Sequence, residues 1–324
     1  MKVFDAAAVD AALTPRAMID AIGAAFAGRL VAPKRHHHEI ARDGSGGTLL
    51  LMPAWTDKGE PKSYMGVKIV SVFPDNAKKS IASVQGSYIL NDGDTGAPLA
   101  VMDGARLTLH RTAAASAYAA QHLARHDARL MVMAGAGALS SFLVRAHCAA
   151  RPSIRHVYVW NRNPQRAIEV AAELDRDPLL ANVTIDSGGD LESAVREADL
   201  VSCATLAKEP IVQGAWLKEG AHLDLVGAYN MSTREADDES LARASVFIDT
   251  PACLSEGGDV AVAIARGVYS ADRVSADLVA LATGGHKGRS ADQEITFFKS
   301  VGAAIEDLAA AMLVWKSAGA DRAR

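Results

Sequence analysis

The sequence predicts an α/β protein in which a doubly wound parallel sheet is inserted into an α+β domain. Three observations predict it. From residue 129 onward, short apolar runs alternate with helical patterns, the texture of a parallel sheet with crossover helices. Before residue 108 the apolar runs are instead separated by turn signals at hairpin spacing. The chain then finishes on one more amphipathic pattern with no strand after it, which is expected to return to the first domain. A length of 324 residues fits about two domains. The expected division is 1–118 with 299–324 for the outer domain, and 119–298 for the inserted one.

Each element has a local reason. Residues 14–28 read as a helix because Thr14 can cap it and Pro15 suits the first helical position. β-like runs follow at 48–52, ending at Pro53, and at 66–73, ending at Pro74. Another run at 85–90 meets the turn Asn91-Asp92-Gly93-Asp94, and residues 98–102 return from it. Residues 108–125 hold many alanines and neither Gly nor Pro, so they predict a helix packed closely on a neighbour. A buried-strand run at 129–134 leads into Gly135-Ala136-Gly137-Ala138-Leu139-Ser140, which opens a helix. Strands are then expected at 156–160, 183–186, 200–203, 222–226 and 245–248, six in all, with a helix at 164–174. Residues 298–316 read as a long amphipathic helix.

Composition excludes several functions. Thirty-four Lys+Arg against 38 Asp+Glu give a net charge of −4 and no long basic run, which argues against nucleic-acid binding through a basic surface. No apolar stretch approaches the roughly 20 residues that cross a bilayer, and the first ten residues carry two acids and no signal-type apolar core. Cys148, Cys203 and Cys253 are odd in number and far apart, so a reducing, cytoplasmic setting is expected. His36-His37-His38 invites a metal reading, but alternate side chains of an extended strand face opposite ways. At most two converge and no third ligand is spaced to complete a site, so no metal is expected.

The glycine motif carries the chemistry. It directly follows the run Leu130-Met131-Val132-Met133-Ala134 and directly precedes a helix, the context in which such a motif binds a dinucleotide. Gly135 permits the tight turn, Gly137 lets backbone approach a pyrophosphate at the helix N-terminus, and Ser140 replaces the third glycine with another small residue. An ordinary Gly-rich βα turn is the bland alternative, and the strand–helix series downstream weighs against it. After the second strand the chain reads Trp160-Asn161-Arg162-Asn163, with no carboxylate to accept from a ribose 2′-hydroxyl. Arg162 can face a 2′-phosphate and Asn161 can donate to it, so NADPH is the expected cofactor with NADH usable. A solvated turn arginine is the alternative. Thr205, after the fourth strand, and Gly227, after the fifth, should line the nicotinamide end, with Cys203 a small buried wall residue.

Taken in order, Pro33-Lys34-Arg35, Leu51-Met52-Pro53, Gly66-Val67-Lys68, Arg111-Thr112-Ala113-Ala114-Ala115-Ser116, Gly135-Ala136-Gly137, Trp160-Asn161-Arg162, Cys203-Ala204-Thr205, Gly220-Ala221-His222 and Phe298-Lys299-Ser300-Val301-Gly302 resemble the ornithine cyclodeaminase/mu-crystallin family over nearly the whole chain. The resemblance implies a homodimer, with the Rossmann domain set between the two parts of a dimerisation domain. It implies that Arg35, Lys68 and Arg111 hold a substrate carboxylate, an arrangement in which a buried cation cluster awaits an anion. By residue type alone, Lys68 in its apolar run faces either solvent or a cleft, and Arg111 could be a surface residue. The implied cofactor contacts are Thr112, Gly135, Ala136, Gly137, Ala138, Leu139, Asn161, Arg162, Thr205 and Gly227.

Within the family, the cyclodeaminases carry an aspartate where this chain has Tyr229, a glutamate where it has Leu50, and an acid where it has Lys299. The resemblance therefore points to reduction of cyclic ketimine carboxylates: Δ1-pyrroline-2-carboxylate to proline and Δ1-piperideine-2-carboxylate to pipecolate. Rivals are an alanine-dehydrogenase-like amino-acid dehydrogenase, a cyclodeaminase, and a non-enzymatic NADPH-binding protein of the crystallin type. Lys68 or a water is the expected proton source, and no Asp or Glu stands out.

Overall fold

The structure, a computed structural model, describes residues 1–42, 44–60, 62–79 and 81–319. Two compact units divide the chain: Met1–Arg111 with Ala303–Arg324, and Thr112–Gly302. The changeovers fall at 111/112 and 302/303 rather than at 118/119 and 298/299. The first lies inside an unbroken helix, so no Gly- or Pro-rich linker marks it in the sequence.

The first unit begins with β1 (Lys2–Phe4), α1 (Ala6–Ala12) and α2 (Pro15–Ala27). Asp5 caps α1 by accepting from the Ala8 N–H, and Thr14 caps α2 by accepting from the Ala17 N–H. Strands β2 (Leu30–Val31), β3 (His36–Ile40), β4 (Gly47–Thr56), β5 (Tyr64–Val72), β6 (Val84–Asp92) and β7 (Pro98–Asp103) lead into α3 (Gly104–Leu123). The sheet runs β1-β7-β6-β5-β4-β2, with β3 also on β4. Strand β4 passes through Pro53 instead of ending there. Pro53 opposes Val67 of β5 on one edge; on the other, β3 pairs with residues 47–51 and β2 with residues 55–56, which leaves a gap at Pro53 of the kind that accommodates a residue without an N–H. Helix α3 starts at Gly104, earlier than residue 108, and Thr108 Oγ1 turns back to donate to Gly104 O at 2.7 Å.

One row of this sheet matters most. Met52 opposes Lys68, Lys68 opposes Tyr88, and Tyr88 opposes Met102. Directly opposed residues share a face, and all four are buried. A lysine thus stands in an apolar row.

The second unit contains β8 (Leu130–Ala134), α4 (Ser140–Ala150), β9 (His156–Trp160), α5 (Pro164–Leu174), β10 (Thr184–Ser187), α6 (Leu191–Glu197), β11 (Leu200–Cys203), β12 (His222–Leu225), α7 (Asp238–Arg243), β13 (Ser245–Ile248), α8 (Cys253–Glu256), α9 (Gly258–Ala265), β14 (Val274–Asp277), α10 (Leu278–Ala282) and β15 (Thr296–Lys299). Its sheet is parallel in the order β10-β9-β8-β11-β12-β15-β13-β14, a doubly wound fold that reverses between β8 and β11. It has eight strands, not six. Phe298 and Lys299 end β15 and do not start a helix. Thr296, Phe297, Phe298 and Lys299 are all buried between β12 and β13, and periodicity cannot distinguish so short a buried run from a helix. The final helix, α11 (Ala304–Ser317), belongs to the first unit, where it packs on α2 and across β4, β5 and β6.

Under the second sheet lies a buried polar row. His147 Nε2 stands 3.1 Å from Asp224 Oδ2, Ser202 donates to the same oxygen at 2.6 Å, and His222 Nδ1 stands 2.9 Å from Thr296 Oγ1. Burial drives the His222 pKa down to about 3. No helix among the described residues is long and apolar enough to cross a membrane.

Candidate active site

In the first unit, β5, α3 and α11 bring four charged side chains together. Lys68 Nζ donates to Asp307 Oδ1 at 2.8 Å and to Thr108 Oγ1 at 3.2 Å. Arg111 Nε donates to the same Asp307 oxygen at 3.0 Å, and its Nη1 donates to Glu306 Oε2 at 2.8 Å. Glu306 and Asp307 occupy the first turn of α11, where the helix dipole favours anions, and both are inaccessible to solvent. Glu306 also accepts from the Ala303 N–H at 3.1 Å.

The cations therefore do not wait for an anion. Two carboxylates of α11 already neutralise them, which corrects the expectation that substrate must do so. Donors remain: an ammonium has three and a guanidinium five, and these bonds use two of each. Burial, with Arg111 beside it, lowers the Lys68 pKa to about 8 against the upward pull of Asp307. Burial alone would also lower Arg111, but Asp307 and Glu306 outweigh it and raise the guanidinium. Tyr88, opposite Lys68, has its phenol pushed well above the ordinary range by burial and by Asp307. Its hydroxyl and Asp307 Oδ2 are buried without a hydrogen-bond partner among the described residues.

Arg35 is half-buried just before β3. Continuing the His36–Leu51 register by one residue aligns it with Met52, itself opposite Lys68. His36 and His38 share one side of exposed β3, with ring centroids 6.4 Å apart. No group of three or more metal-ligating residues occurs among the described residues.

In the second unit, β8 ends at the glycine turn and α4 begins at Ser140. Gly135 has φ of 120°, and a Cβ there would lie 2.6 Å from Ala204 O, so only glycine fits. A Cβ on Gly137 would meet nothing within 4 Å, and Gly137 and Ala138 are exposed while Ala136 and Leu139 are half-buried. That open side fits a pyrophosphate on the α4 N-terminus. Ser140 does more than stay small: its hydroxyl donates to Gly135 O at 2.8 Å and accepts from the Gly137 N–H at 3.0 Å, stapling the turn. After β9, Arg162 is exposed, Asn161 Nδ2 donates to Asn163 O at 3.0 Å, and Asn163 caps α5. Thr112, half-buried, follows Arg111 on α3.

At the carboxyl ends of β11 and β12, one residue that sequence reading missed organises the loops. Glu235 Oε1 accepts from the Thr205 N–H at 2.6 Å and its hydroxyl at 2.8 Å. Glu235 Oε2 accepts from the N–H groups of Gly227 at 2.7 Å and Ala228 at 3.2 Å. The loops approach so closely that a Cβ on Gly227 would lie 2.0 Å from Thr205 O. Asp259 in turn accepts from the Glu235 and Ala236 N–H groups, and Lys299 Nζ stands 3.1 Å from Asp259 Oδ2 and donates to Leu225 O at 3.2 Å. Burial raises the Glu235 pKa to about 7; Lys299 opposes this and Asp259 adds to it. Burial likewise pushes the Cys203 thiol well up, leaving it protonated and inert. Tyr229 is exposed beside this loop.

The profile of the ornithine cyclodeaminase/mu-crystallin family matches residues 2–321. Protein SAR DEFICIENT 4 of Arabidopsis thaliana is 41% identical over 285 residues, 88% of this chain and 86% of the relative. The Δ(1)-pyrroline-2-carboxylate reductase of Paracoccus denitrificans is 39% identical over 263 residues, 81% of each. Among solved structures, Thermococcus litoralis Δ(1)-pyrroline-2-carboxylate reductase in complex with NADH and L-proline aligns with a TM-score of 0.91 at 33% identity, covering 99% of this chain and 98% of that one. On the full-length profile match and these whole-chain likenesses, the chain belongs to the ornithine cyclodeaminase/mu-crystallin family.

Proposed function

We propose that the protein reduces cyclic ketimine carboxylates with a nicotinamide cofactor, taking Δ1-pyrroline-2-carboxylate to L-proline and Δ1-piperideine-2-carboxylate to L-pipecolate. The observation that carries this reading is the buried Lys68–Arg111 pair, held by Asp307 and Glu306 with donors to spare. A carboxylate is the ligand those donors fit. The substrate named for the Paracoccus relative, and the L-proline and NADH named for the Thermococcus structure, support the choice of a cyclic imino acid.

In this reading Arg35, Lys68 and Arg111 bind the carboxylate and fix the C=N bond. Lys68, with its pKa lowered to about 8, is mostly protonated at neutral pH and can give a proton toward the imine nitrogen. A nicotinamide held there would supply the hydride for the imine carbon; the protein's part is positioning. Gly135, Ala136, Gly137, Ala138 and Leu139 form its pyrophosphate cradle, and Asn161 and Arg162 lie toward the adenosine ribose. Thr112, Thr205 and Gly227 complete the contacts. Preference for NADPH rests on exposed Arg162 and the absence of an acid from residues 161–163. A homodimer and a cytoplasmic location belong to the same reading; the latter is supported by three free cysteines.

The test is NADPH oxidation with each cyclic imine, with pyruvate plus ammonia, and with ornithine. Turnover of the imines alone is expected. Turnover only of pyruvate with ammonia makes it an amino-acid dehydrogenase, ammonia release from ornithine a cyclodeaminase, and cofactor binding with no turnover a crystallin-type protein.

A further inference from the structure

The Glu235–Asp259–Lys299 trio is more than a loop clamp. It holds two carboxylates and one ammonium, all buried, so its formal charge with every group ionised is 1 − 2 = −1. Lys299 pairs with Asp259, and Glu235 is left to four backbone and hydroxyl donors. Nearby groups do not cancel the charge. Cys203 is neutral, Arg234 turns away to Asp238 at 2.7 Å, and buried Asp249, bonded to the Val301 and Gly302 N–H groups, has the same sign as the excess. The trio sits where the β11 and β12 loops emerge, on one side of the strand-order reversal between β8 and β11. In doubly wound sheets a dinucleotide crosses that reversal, and with its pyrophosphate on α4 its nicotinamide lies toward β11 and β12.

We infer that Glu235, with Asp259 and Lys299, is the electrostatic counter-ion of the nicotinamide, favouring the cationic oxidised ring over the neutral reduced one. The inference rests on the proposed cofactor. A buried net anion acts on a nearby charge far more strongly than the same group in water. As hydride leaves, the ring becomes positive, so this anion favours transfer toward the imine. Glu235 acts as a positioning residue, through the loops and through its field.

Dissociation constants for NADPH and NADP⁺, measured by nucleotide fluorescence and calorimetry without substrate, test this for wild type and Glu235→Gln near pH 8 and pH 6. In wild type near pH 8, NADP⁺ should bind better, relative to NADPH, than in the variant by about tenfold. The wild-type advantage should shrink toward pH 6, because Glu235 takes up a proton near 7. The ratio in Glu235→Gln should stay flat. The 2′-phosphate titrates in both nucleotides and cancels. Equal weakening of both forms, or a wild-type ratio unchanged between the two pH values, overturns the inference and leaves Glu235 a clamp. The wild-type arm decides if the variant does not fold. Failure of wild type to bind either nucleotide instead overturns the cofactor reading itself.

Discussion

Asp307→Asn removes one charge from the Lys68–Arg111–Glu306–Asp307 cluster while keeping an oxygen where both cations bond. Lys68 loses the carboxylate 2.8 Å from its Nζ, so its pKa should drop below about 8. The folded variant can relieve the strain by releasing the Lys68 proton, and the cost of that release sets the penalty. It is about 1.4 kcal/mol for each pH unit below 8, up to the roughly 3–5 kcal/mol typical of a broken buried pair. Near pH 8.5 the penalty from Lys68 is close to zero; near pH 7 it is about 1.4 kcal/mol, and near pH 5.5 about 3 kcal/mol. The lost Arg111 contact adds a pH-independent offset. Urea unfolding of both proteins at these three pH values measures the difference. If Lys68 is the proton source, the alkaline limb of kcat/KM should also move at least one unit lower. A stability difference that does not change between pH 5.5 and 8.5 would refute the coupling between Asp307 and the Lys68 proton.

Three further outcomes are expected. Arg111→Ala should leave NADPH affinity intact but cut kcat/KM for the imines by roughly 10- to 150-fold, the loss of a charged hydrogen bond of about 1.5–3 kcal/mol; unchanged imine kinetics remove Arg111 from the site. Arg162→Ala should erode an NADPH advantage of about tenfold while sparing NADH, and equal loss with both cofactors means that Arg162 does not read the phosphate. Buried His222, neutral until about pH 3, takes up its proton more readily when unfolded. Stability should therefore fall as pH drops below about 6.5, by roughly 2 kcal/mol near pH 5, and His222→Asn should flatten that slope in urea titrations.

What the sequence disclosed was local. The glycine turn, the cap at Thr14 and the strand at His156–Trp160 are each decided by a few neighbouring residues, and the structure has them where those residues put them. Pro53 misled because its tolerance depends on which strands stop beside β4, a fact of the sheet and not of the run. The helix expected from residue 298 failed for a related reason: β15 is a central strand, paired on its two edges by β12 and β13 and buried on both faces, so its run carries no alternation to identify it.

The missed residues, Glu235, Glu306 and Asp307, share one property. Each is an acid buried deep in the protein, and acids are almost never buried unless paired. Their partners lie far away in sequence: Arg111 is 195 residues from Glu306, Lys68 is 239 from Asp307, and Thr205 is 30 from Glu235. A single sequence offers no spacing rule across such intervals, and Glu306-Asp307 at the start of a helix looks like an ordinary solvated N-terminus. One signal was present. Lys68 and Lys299 both sit in apolar strand runs, and a lysine on a buried face demands a carboxylate somewhere. Two strand lysines thus call for two buried acids, although nothing in their spacing says which acids answer. The two clusters differ in sign as well as place: the first is neutral with cation donors left over for the proposed substrate carboxylate, and the second, with Glu235 ionised, has an anion left over beside the proposed nicotinamide end.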